Sequence, residues 1–439
     1  MRFENKRKGG AIVIQAAKPA LKADCCAGQG GEAIAFETAV AKAIGLAKPV
    51  GSRETLPLVG ALGRVSAVGV RSPMALPSFN NSAMDGFAVR TADFEGEGPW
   101  TFRVAERVVA GDTRALENLD PRTALRIFTG APVPSSFDAV IVQENCERTD
   151  DDVRTYERPS RGRHIRFAGE DVSVDMELIK GGKGLSARDL TLLAAVGIID
   201  LQVLRKVRIG LLSTGTELKA AGEPLEHGQI YDSNGIMLRS LLEACPWAEI
   251  VDFGMVPDNP ALIADFIGRA VANCDALVTR GGVSAGEEDH VVAAVQSHGA
   301  NLDLLKVAMR PGKPLKVGKI KDMLFAGLPG NPNAALMAFR QIVLPALRKL
   351  AGLTETQPQW FSAVAGFNRK KRQGQTEFVA VRISGRTETG ELVLEILERQ
   401  SSASLMAVAL ADGIALLPPE TAEITDGMPL RYEPFRHLA

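Results

Sequence analysis

The sequence feature that most constrains the fold is a regular alternation of strand-like and helix-like segments between residues 206 and 350. Short β-branched runs such as VRIGLLSTG and DALVTRGG are separated by longer amphipathic runs such as PALIADFIGRAVANC. Strands that alternate with helices indicate a mostly parallel sheet covered by helices on both faces. Ligands of such α/β folds bind beyond the carboxyl ends of the strands. The sequence therefore predicts a ligand-binding α/β domain and the edge at which its chemistry lies.

The remainder of the 439 residues divides into regions of different texture. The start is rich in Lys, Gly and Ala, which is typical of a disordered tail. Two later stretches have helical periodicity, with Ser186 as a predicted N-cap. Short β-branched runs among many Gly and Pro residues indicate strands elsewhere. We predict a disordered tail (1–30), a helical linker or dimerisation domain (31–50 and 172–205), an irregular β-rich domain (51–171), the α/β domain (206–352) and a small β sandwich or barrel (353–439).

The charge balance argues against several classes of partner. The chain has 51 basic and 52 acidic side chains, a net charge of -1, and only 5% aromatic residues. With neither a field of one sign nor stacking platforms, nucleic acid and membrane surfaces are not expected partners. Five scattered cysteines suit a reducing compartment, and no apolar run reaches the length of a membrane span. We therefore expect a cytoplasmic protein.

Three loops follow predicted parallel strands and carry the residues suited to holding an anion. Glycine lets backbone N–H groups approach a ligand, and the helix that follows each loop favours negative charge at its N-terminus. In the third loop, Asn331 as N-cap and Pro332 in the first turn begin a helix. Any single loop also suits an ordinary turn, but three on one edge favour a binding site. The expected binding residues are Ser213, Thr214, Gly215, Gly281, Gly282, Ser284, Gly286, Pro329, Gly330, Asn331 and Pro332.

A fourth loop, RPGKP, adds two cations, Arg310 and Lys313, on a path stiffened by prolines. A phosphate or another oxyanion is their natural partner, and a solvated basic turn is the alternative. Asp232 and Asp289 lie beside the loops. Carboxylates next to phosphate-holding loops indicate Mg²⁺, although each acid, Asp289 above all, also suits a helix cap.

Eight motifs occur in a fixed order: PSFNNSAMDGFAVR, FTGAPVP, GED, STGTEL, GQIYDSN, GGVSAGEEDH, RPGKP and LPGNPNAAL. Together they closely resemble the molybdopterin molybdenumtransferase family, the bacterial counterpart of the gephyrin E domain. The resemblance runs from about residue 32 to the C-terminus. It implies an elongated homodimer that inserts molybdate into adenylylated molybdopterin, releases AMP and depends on Mg²⁺.

The resemblance also implies roles for individual residues. The backbones of GGVSAG and LPGNP would cradle pterin and phosphate, and Arg310 and Lys313 would attract molybdate or the phosphates. Asp85 and Thr129 would approach from the other subunit. The implied catalytic residues are Asp85, Thr129, Asp171, Asp189 and Asp289, and the implied metal ligands are Asp232 and Asp289.

Three residues depart from the usual pattern of this family: Asn80, Thr216 and Arg280. Two other activities therefore stay open. A paralogue that binds molybdopterin as a carrier or scaffold would not release AMP, and an enzyme that adenylylates molybdopterin would consume ATP. Four acids favour the transferase, because a carrier has less need of so many around one site: Asp85, Asp171, Asp232 and Asp289. Its expected partners are molybdopterin adenylyltransferase and apo-molybdoenzymes.

Overall fold

The computed structural model of the chain describes residues 33–114, 116, 119–281, 290–397 and 401–435. The tail predicted at 1–30 lies outside these ranges. Within them, no helix is long and apolar enough to cross a membrane. Four of the predicted site residues also lie outside the described residues: Gly282, Ser284, Gly286 and Asp289.

Residues 51–171 are dominated by short strands, as predicted, whereas 172–205, predicted to be helical, contains two strands, Glu177–Ile179 and Asp200–Leu204, beside one helix. Strands β4 to β9, defined below, form a six-stranded sheet in the order β7-β4-β6-β5-β9-β8, and each face buries its own apolar cluster. The helices are α1 (Phe36–Leu46) and α2 (Ala187–Ala195); the strands are β1 (Arg53–Pro57), β2 (Val70–Arg71), β3 (Asn81–Ser82), β4 (Gly86–Val89), β5 (Trp100–Val108), β6 (Thr123–Ile127), β7 (Ala139–Val142), β8 (Cys146–Arg148), β9 (Asp152–Thr155), β10 (Ile165–Arg166), β11 (Glu177–Ile179) and β12 (Asp200–Leu204).

Helix α2 begins at the predicted N-cap, Ser186. The carboxylate of Asp189 accepts hydrogen bonds from the Ser186 backbone N–H at 2.8 Å and from its hydroxyl at 2.7 Å. The Ser186 hydroxyl oxygen in turn accepts from the Asp189 N–H, which completes a capping box. Gly197, with φ +78°, follows the helix end.

The α/β domain has a six-stranded sheet in the order β16-β13-β17-β21-β20-β18. The first four strands are parallel, whereas β20 and β18 run antiparallel to their neighbours. The strands are β13 (Val207–Thr214), β14 (Leu218–Lys219), β15 (Ile230–Tyr231), β16 (Ala248–Val256), β17 (Ala276–Arg280), β18 (Ala300–Lys306), β19 (Met309–Arg310), β20 (Pro314–Ile320) and β21 (Met323–Leu328); the helices are α3 (Ser233–Glu243), α4 (Pro260–Asn273), α5 (His290–Ser297), α6 (Pro332–Ala338) and α7 (Leu344–Leu350).

Several elements of this domain differ from the prediction, among them the two-residue strands β14 and β15, which were not predicted. Strand β20 was not predicted, because its lysines, Lys316 and Lys319, break the apolar pattern that identifies a strand. The single long helix expected after residue 332 is instead α6 and α7 joined by a π-helical turn, Phe339–Val343. Pro345 has no N–H to donate to the carbonyl group four residues earlier, so regular α-helical bonding is interrupted there.

Helices cover both faces of the sheet. Helices α3, α6 and α7 pack on one face and α4 and α5 on the other. Helix α1 also joins the first face, and Ile34 before it forms a bridge with Val307. These contacts attach α1 to the α/β core. The assignment of residues 31–50 to a separate helical domain stays a prediction.

The C-terminal part forms a closed barrel, which confirms one of the two predicted β architectures. Its five strands follow the order β24-β25-β22-β28-β26, and β26 pairs back to β24. Strand β19 of the α/β domain adds to β24 in parallel. The strands are β22 (Phe361–Ala365), β23 (Arg369–Lys370), β24 (Thr376–Arg386), β25 (Leu392–Ile396), β26 (Gly413–Leu417), β27 (Glu423–Ile424) and β28 (Pro429–Pro434), and the helix is α8 (Leu405–Leu410).

Candidate functional site

The strand ends that precede the three predicted loops are neighbours at the carboxyl edge of the α/β sheet. In the strand register, Ser213 lies opposite Arg280, and Arg280 lies opposite Leu328. Gly281 has φ +84°, and a Cβ there would lie 2.5 Å from the carbonyl oxygen of Thr214. Only glycine lets the chain turn so close to that strand. Eight predicted binding residues meet here: Ser213, Thr214, Gly215, Gly281, Pro329, Gly330, Asn331 and Pro332.

Among the residues that the structure describes, several polar atoms at this edge are buried without a hydrogen-bond partner: Thr214 Oγ1, Thr279 Oγ1 and Asn234 Oδ1. The other end of the Asn234 amide donates to the carbonyl oxygen of Gly330 at 2.7 Å, which fixes the third loop against α3. Unpartnered buried polar atoms are rare, and a polar ligand uses such groups. Sequence reasoning missed Asn234 and Thr279. The available signal for Asn234 was an amide next to Asp232 at the start of a helix.

Asp232 is the N-cap of α3, and both of its carboxylate oxygens have donors. Oδ1 accepts from the backbone N–H of Gly235 at 2.8 Å. Oδ2 accepts from the Ser213 hydroxyl and from Nη1 of Arg280, the latter at 3.1 Å. These contacts fit the helix cap that was the alternative role of Asp232. Metal ligation by Asp232 stays a prediction.

The third loop is fastened to the C-terminal part of the chain. Asn331 occupies the N-cap position of α6, but its side chain makes no capping hydrogen bond, contrary to the prediction. Its Nδ2 instead donates to the Ser402 hydroxyl at 3.3 Å. Asn333 Nδ2 donates to the carbonyl oxygen of Ser401 at 3.2 Å. The side chain of Asn331 therefore bonds to the C-terminal part of the chain and does not cap its own helix.

A cavity of about 720 Å³ opens between the α/β domain and the barrel. The predicted cations Arg310 and Lys313 line it from one side, and Arg369 and Arg372 line it from the barrel side. Sequence reasoning missed the two barrel arginines. The basic run RKKR at 369–372 was the signal, but nothing in the sequence placed it beside RPGKP.

One carboxylate, Glu377, lies among these cations and is only 2% exposed. Its Oε2 is 3.2 Å from Nη2 of Arg369, and its Oε1 is 3.9 Å from Nη1 of Arg310. The pairing of β19 with β24 places Arg310 directly opposite Glu377. A single buried acid therefore faces one arginine from each domain, and the cations around the cavity outnumber it.

Asp85 and Thr129 form a hydrogen-bonded pair in the β-rich domain, while their approach from the other subunit, which the resemblance implies, stays a prediction. Asp85 Oδ1 accepts from the Thr129 backbone N–H at 2.8 Å and from its hydroxyl at 2.7 Å. These two hydrogen bonds lower the pKa of Asp85, with a smaller contribution from the charge of Arg126. Gly86 follows because a Cβ there would lie 1.9 Å from the carbonyl oxygen of Ile141. Neither Asp85 nor Thr129 lines the cavity.

The two assisting acids have different surroundings. Asp171 is exposed, and its backbone N–H donates to the carbonyl oxygen of Leu76. Asp189 is buried in the capping box of α2, and Lys183 Nζ lies 2.6 Å from its Oδ1. Burial alone would raise the pKa of Asp189, but the hydrogen bonds from Lys183 and Ser186 lower it. These contacts make Asp189 part of a helix start, and its catalytic role stays a prediction.

Three family models match consecutive parts of the chain. The MoeA N-terminal region (domain I and II) matches residues 34–197, the probable molybdopterin binding domain matches 210–349, and the MoeA C-terminal region (domain IV) matches 362–435. These matches cover the β-rich domain, the α/β domain and the barrel in turn.

Relatives named molybdopterin molybdenumtransferase match most of the length of the chain. The chain is 37% identical over 387 residues to a molybdopterin molybdenumtransferase of Haemophilus influenzae, covering 88% of this chain and 94% of the relative. It is 34% identical over 383 residues to one from Nostoc sp., covering 85% and 87%. A solved structure of the molybdopterin biosynthesis moeA protein from Pyrococcus horikoshii superposes with a TM-score of 0.78 at 25% identity, covering 92% of this chain and 100% of that one.

Proposed function

Since the chain belongs to the molybdopterin molybdenumtransferase family, whose reaction inserts molybdenum into molybdopterin, we propose that it takes adenylylated molybdopterin and molybdate and releases AMP. The observation that carries this proposal is the cavity where Arg310 and Lys313 converge with Arg369 and Arg372. Molybdate is a small tetrahedral dianion. Converging cations on stiff loops hold such an oxyanion through charge-assisted hydrogen bonds. The cavity is therefore the proposed molybdate site.

The third loop links this cavity to the strand-end edge. Pro329 and Asn331 line the cavity, while the carbonyl oxygen of Gly330 accepts from Asn234 at the edge. Loop 328–332 thus borders both the proposed molybdate site and the carboxyl edge of the sheet, where we propose that molybdopterin binds. Two reactants held on either side of one rigid loop lose less freedom on meeting than two free molecules do.

We extend the proposal to a homodimer, because Asp85 and Thr129 do not line the cavity of their own chain. A second copy would supply them. A carboxylate whose pKa is lowered stays ionised, and it orients a reacting group by accepting hydrogen bonds better than it removes protons. Asp85 is therefore proposed to orient the substrate at the phosphoanhydride, with Asp171 and Asp189 assisting and Asp289 binding the nucleotide.

The proposal includes Mg²⁺, which the family resemblance implies. Among the residues that the structure describes, no group of three or more His, Cys, Asp or Glu side chains is arranged to hold a metal ion. Proteins often bind Mg²⁺ through one or two carboxylates plus substrate phosphates. The described residues therefore fit a cation that is held mainly by the phosphates of adenylylated molybdopterin. Excess EDTA is expected to stop AMP release and added Mg²⁺ to restore it, and undiminished AMP release in EDTA would remove Mg²⁺ from the proposal.

A carrier that binds molybdopterin without turnover is the second candidate. The observation that favours it is Arg280, which engages Asp232 at the ligand-binding edge. In either case we propose a cytoplasmic protein that meets molybdopterin adenylyltransferase and apo-molybdoenzymes.

One assay separates these functions. Purified protein is given adenylylated molybdopterin, Mg²⁺ and molybdate, and both AMP release and the recovery of an apo-molybdoenzyme are measured. The transferase releases AMP and restores the molybdoenzyme. Binding without AMP release selects the carrier, and consumption of ATP with unmodified molybdopterin selects the adenylylating enzyme.

A further inference from the structure

Arg280 ends a central strand of the α/β sheet at its ligand-binding edge, and its side chain is only 4% exposed. Nη1 donates to Oδ2 of Asp232 at 3.1 Å, and the Asp232 side chain is 13% exposed. The contact joins the end of β17 to the start of α3, the helix that carries Asn234. Solvent and salt screen such a buried ion pair far less than a surface pair.

The surroundings of the pair are shaped to the guanidinium. A Cβ at Gly235 would lie 2.0 Å from Nη1 of Arg280 and 2.4 Å from Oδ2 of Asp232. Any residue other than glycine at position 235 would therefore push the pair apart. The hydroxyl of Ser213 donates to the same Oδ2, so three elements of the edge are joined through one carboxylate.

A divalent cation does not fit at Asp232 while Arg280 is in place. Oδ2 already accepts two hydrogen bonds and Oδ1 accepts one. Mg²⁺ would have to take an oxygen lone pair at about 2.1 Å, and it would then face the positive guanidinium at close range without screening solvent. Within the described ranges, Asp232 belongs to no group of three or more His, Cys, Asp or Glu side chains that could hold a metal ion.

We propose that Arg280 is the permanent counter-ion of Asp232 in this protein. Asp232 is then a positioning residue that holds the ligand-binding edge, through Ser213, the start of α3 and Asn234, and it does not ligate metal. The proposal rests on the proposed function only in taking this edge as the place where molybdopterin binds. It also predicts that an uncharged residue at position 280 would leave Asp232 and Ser213 as open oxygen ligands.

The first test follows Mn²⁺, which substitutes for Mg²⁺ and is paramagnetic, as it is titrated into the full chain with adenylylated molybdopterin and without molybdate. The substrate is included because its phosphates are proposed to hold most of the cation. Electron paramagnetic resonance reports free Mn²⁺ directly. Asp232→Asn, which keeps the shape and can still accept hydrogen bonds, is expected to leave Mn²⁺ binding as in the unmodified chain. The matched control is Asp258→Asn, another acid at this edge, which accepts from the backbone N–H of Thr216. Mn²⁺ affinity weakened by Asp232→Asn alone by more than about a hundredfold, beyond what the loss of an outer-shell partner costs, would overturn the proposal.

The second test removes the counter-ion. Arg280→Ser is expected to gain a Mn²⁺ site that disappears again in Arg280→Ser/Asp232→Asn, whereas Arg280→Lys keeps the charge and gains none. A folded Arg280→Ser protein without the new site would refute the exclusion of metal by Arg280. If thermal unfolding shows that Arg280→Ser does not fold, Arg280→Gln keeps most of the volume and takes its place.

Kinetics separates this proposal from the proposed function. In Asp232→Asn, a positioning role raises KM for adenylylated molybdopterin and leaves the Mg²⁺ concentration for half-maximal AMP release unchanged. A raised Mg²⁺ requirement would contradict the proposal. If the unmodified chain released no AMP at all, the proposed function would fail, while the Mn²⁺ titrations would still decide the role of Arg280.

Discussion

Two polar sites border the α/β domain: the cation-lined cavity and the Asp232 cluster, which consists of Asp232, Ser213 and Arg280. They differ in whether their positive charges are balanced. At the cavity, Arg310 is 67% exposed, and among the described lining residues four cations are accompanied by one buried carboxylate, Glu377. In the cluster, Arg280 is 4% exposed and is matched by Asp232. Cations in excess around an open cavity can attract an oxyanion, whereas a buried, balanced pair has no charge left to offer. The difference separates residues that bind a ligand from residues that hold the binding surface in shape.

The largest effect is expected from removing the cations of the cavity. Arg310→Ala/Lys313→Ala should weaken molybdate binding about a thousandfold, because each charge-assisted hydrogen bond contributes about 2 kcal/mol. Isothermal titration calorimetry with molybdate measures this affinity. Arg382→Ala is the control, since its partner Glu395 and Arg382 itself are about half exposed on the barrel surface. Equal molybdate affinity in the double variant and the control would remove the distinction between the two regions.

A second prediction concerns Asp85, which is proposed to reach the cavity from the partner subunit. Asp85→Asn should slow AMP release about a hundredfold while molybdate affinity is retained, because Asp85 does not line the cavity. Mixed dimers of Asp85→Asn and Arg310→Ala chains should regain AMP release, since one of their two shared sites is intact. Mixed dimers as inactive as either parent would show that the sites are not shared between subunits.

The third prediction addresses the stability of the buried pair. Arg280→Met should lower the free energy of unfolding by about 3 kcal/mol, because it leaves the Asp232 charge buried without its partner. Arg382→Ala breaks a surface pair and should cost less than about 1 kcal/mol. Urea denaturation followed by circular dichroism measures both. A loss as small as that of Arg382→Ala would mean that Arg280 is not an essential counter-ion.

The smallest effect is expected at the capping box of α2. Ser186→Ala should lower the free energy of unfolding by about 1 kcal/mol and leave the rate of AMP release by the folded enzyme unchanged. Asp189→Ala shares this structural loss, so any extra loss of AMP release in that variant measures a role of Asp189 in the reaction. Equal rates in the two variants would assign Asp189 to structure alone.

The sequence allowed the prediction of those parts that depend on local patterns. The alternation after residue 206 predicted the α/β domain, and Ser186 predicted the start of α2. Strand β20 was missed because buried lysines such as Lys316 look polar in a sequence. The π-helical turn was missed because the apolar periodicity runs through the segment without a break, although Pro345 within it signals an interruption of the helix.

The site was predictable only where its residues are local. A loop glycine such as Gly281 indicates that two backbone segments come close together. The prolines of RPGKP indicate that Arg310 and Lys313 are held in place. Arg369 and Glu377 come to the cavity through the pairing of β19 with β24, a long-range contact that no local pattern encodes. The Arg280–Asp232 pair likewise joins residues that are far apart in the chain.

The central claim is that the cavity between the α/β domain and the barrel takes the oxyanion that is inserted. The most direct test is a crystal of the full chain soaked with molybdate, or with tungstate as its heavier analogue, and measured for anomalous scattering. We predict a metal peak in the cavity, placed so that the oxygens of the oxyanion lie within hydrogen-bonding distance of Arg310, Lys313, Arg369 or Arg372, and the loss of this peak in Arg310→Ala/Lys313→Ala. A peak beside Asp232, or an empty cavity in crystals of a protein that still inserts molybdate, would contradict the account.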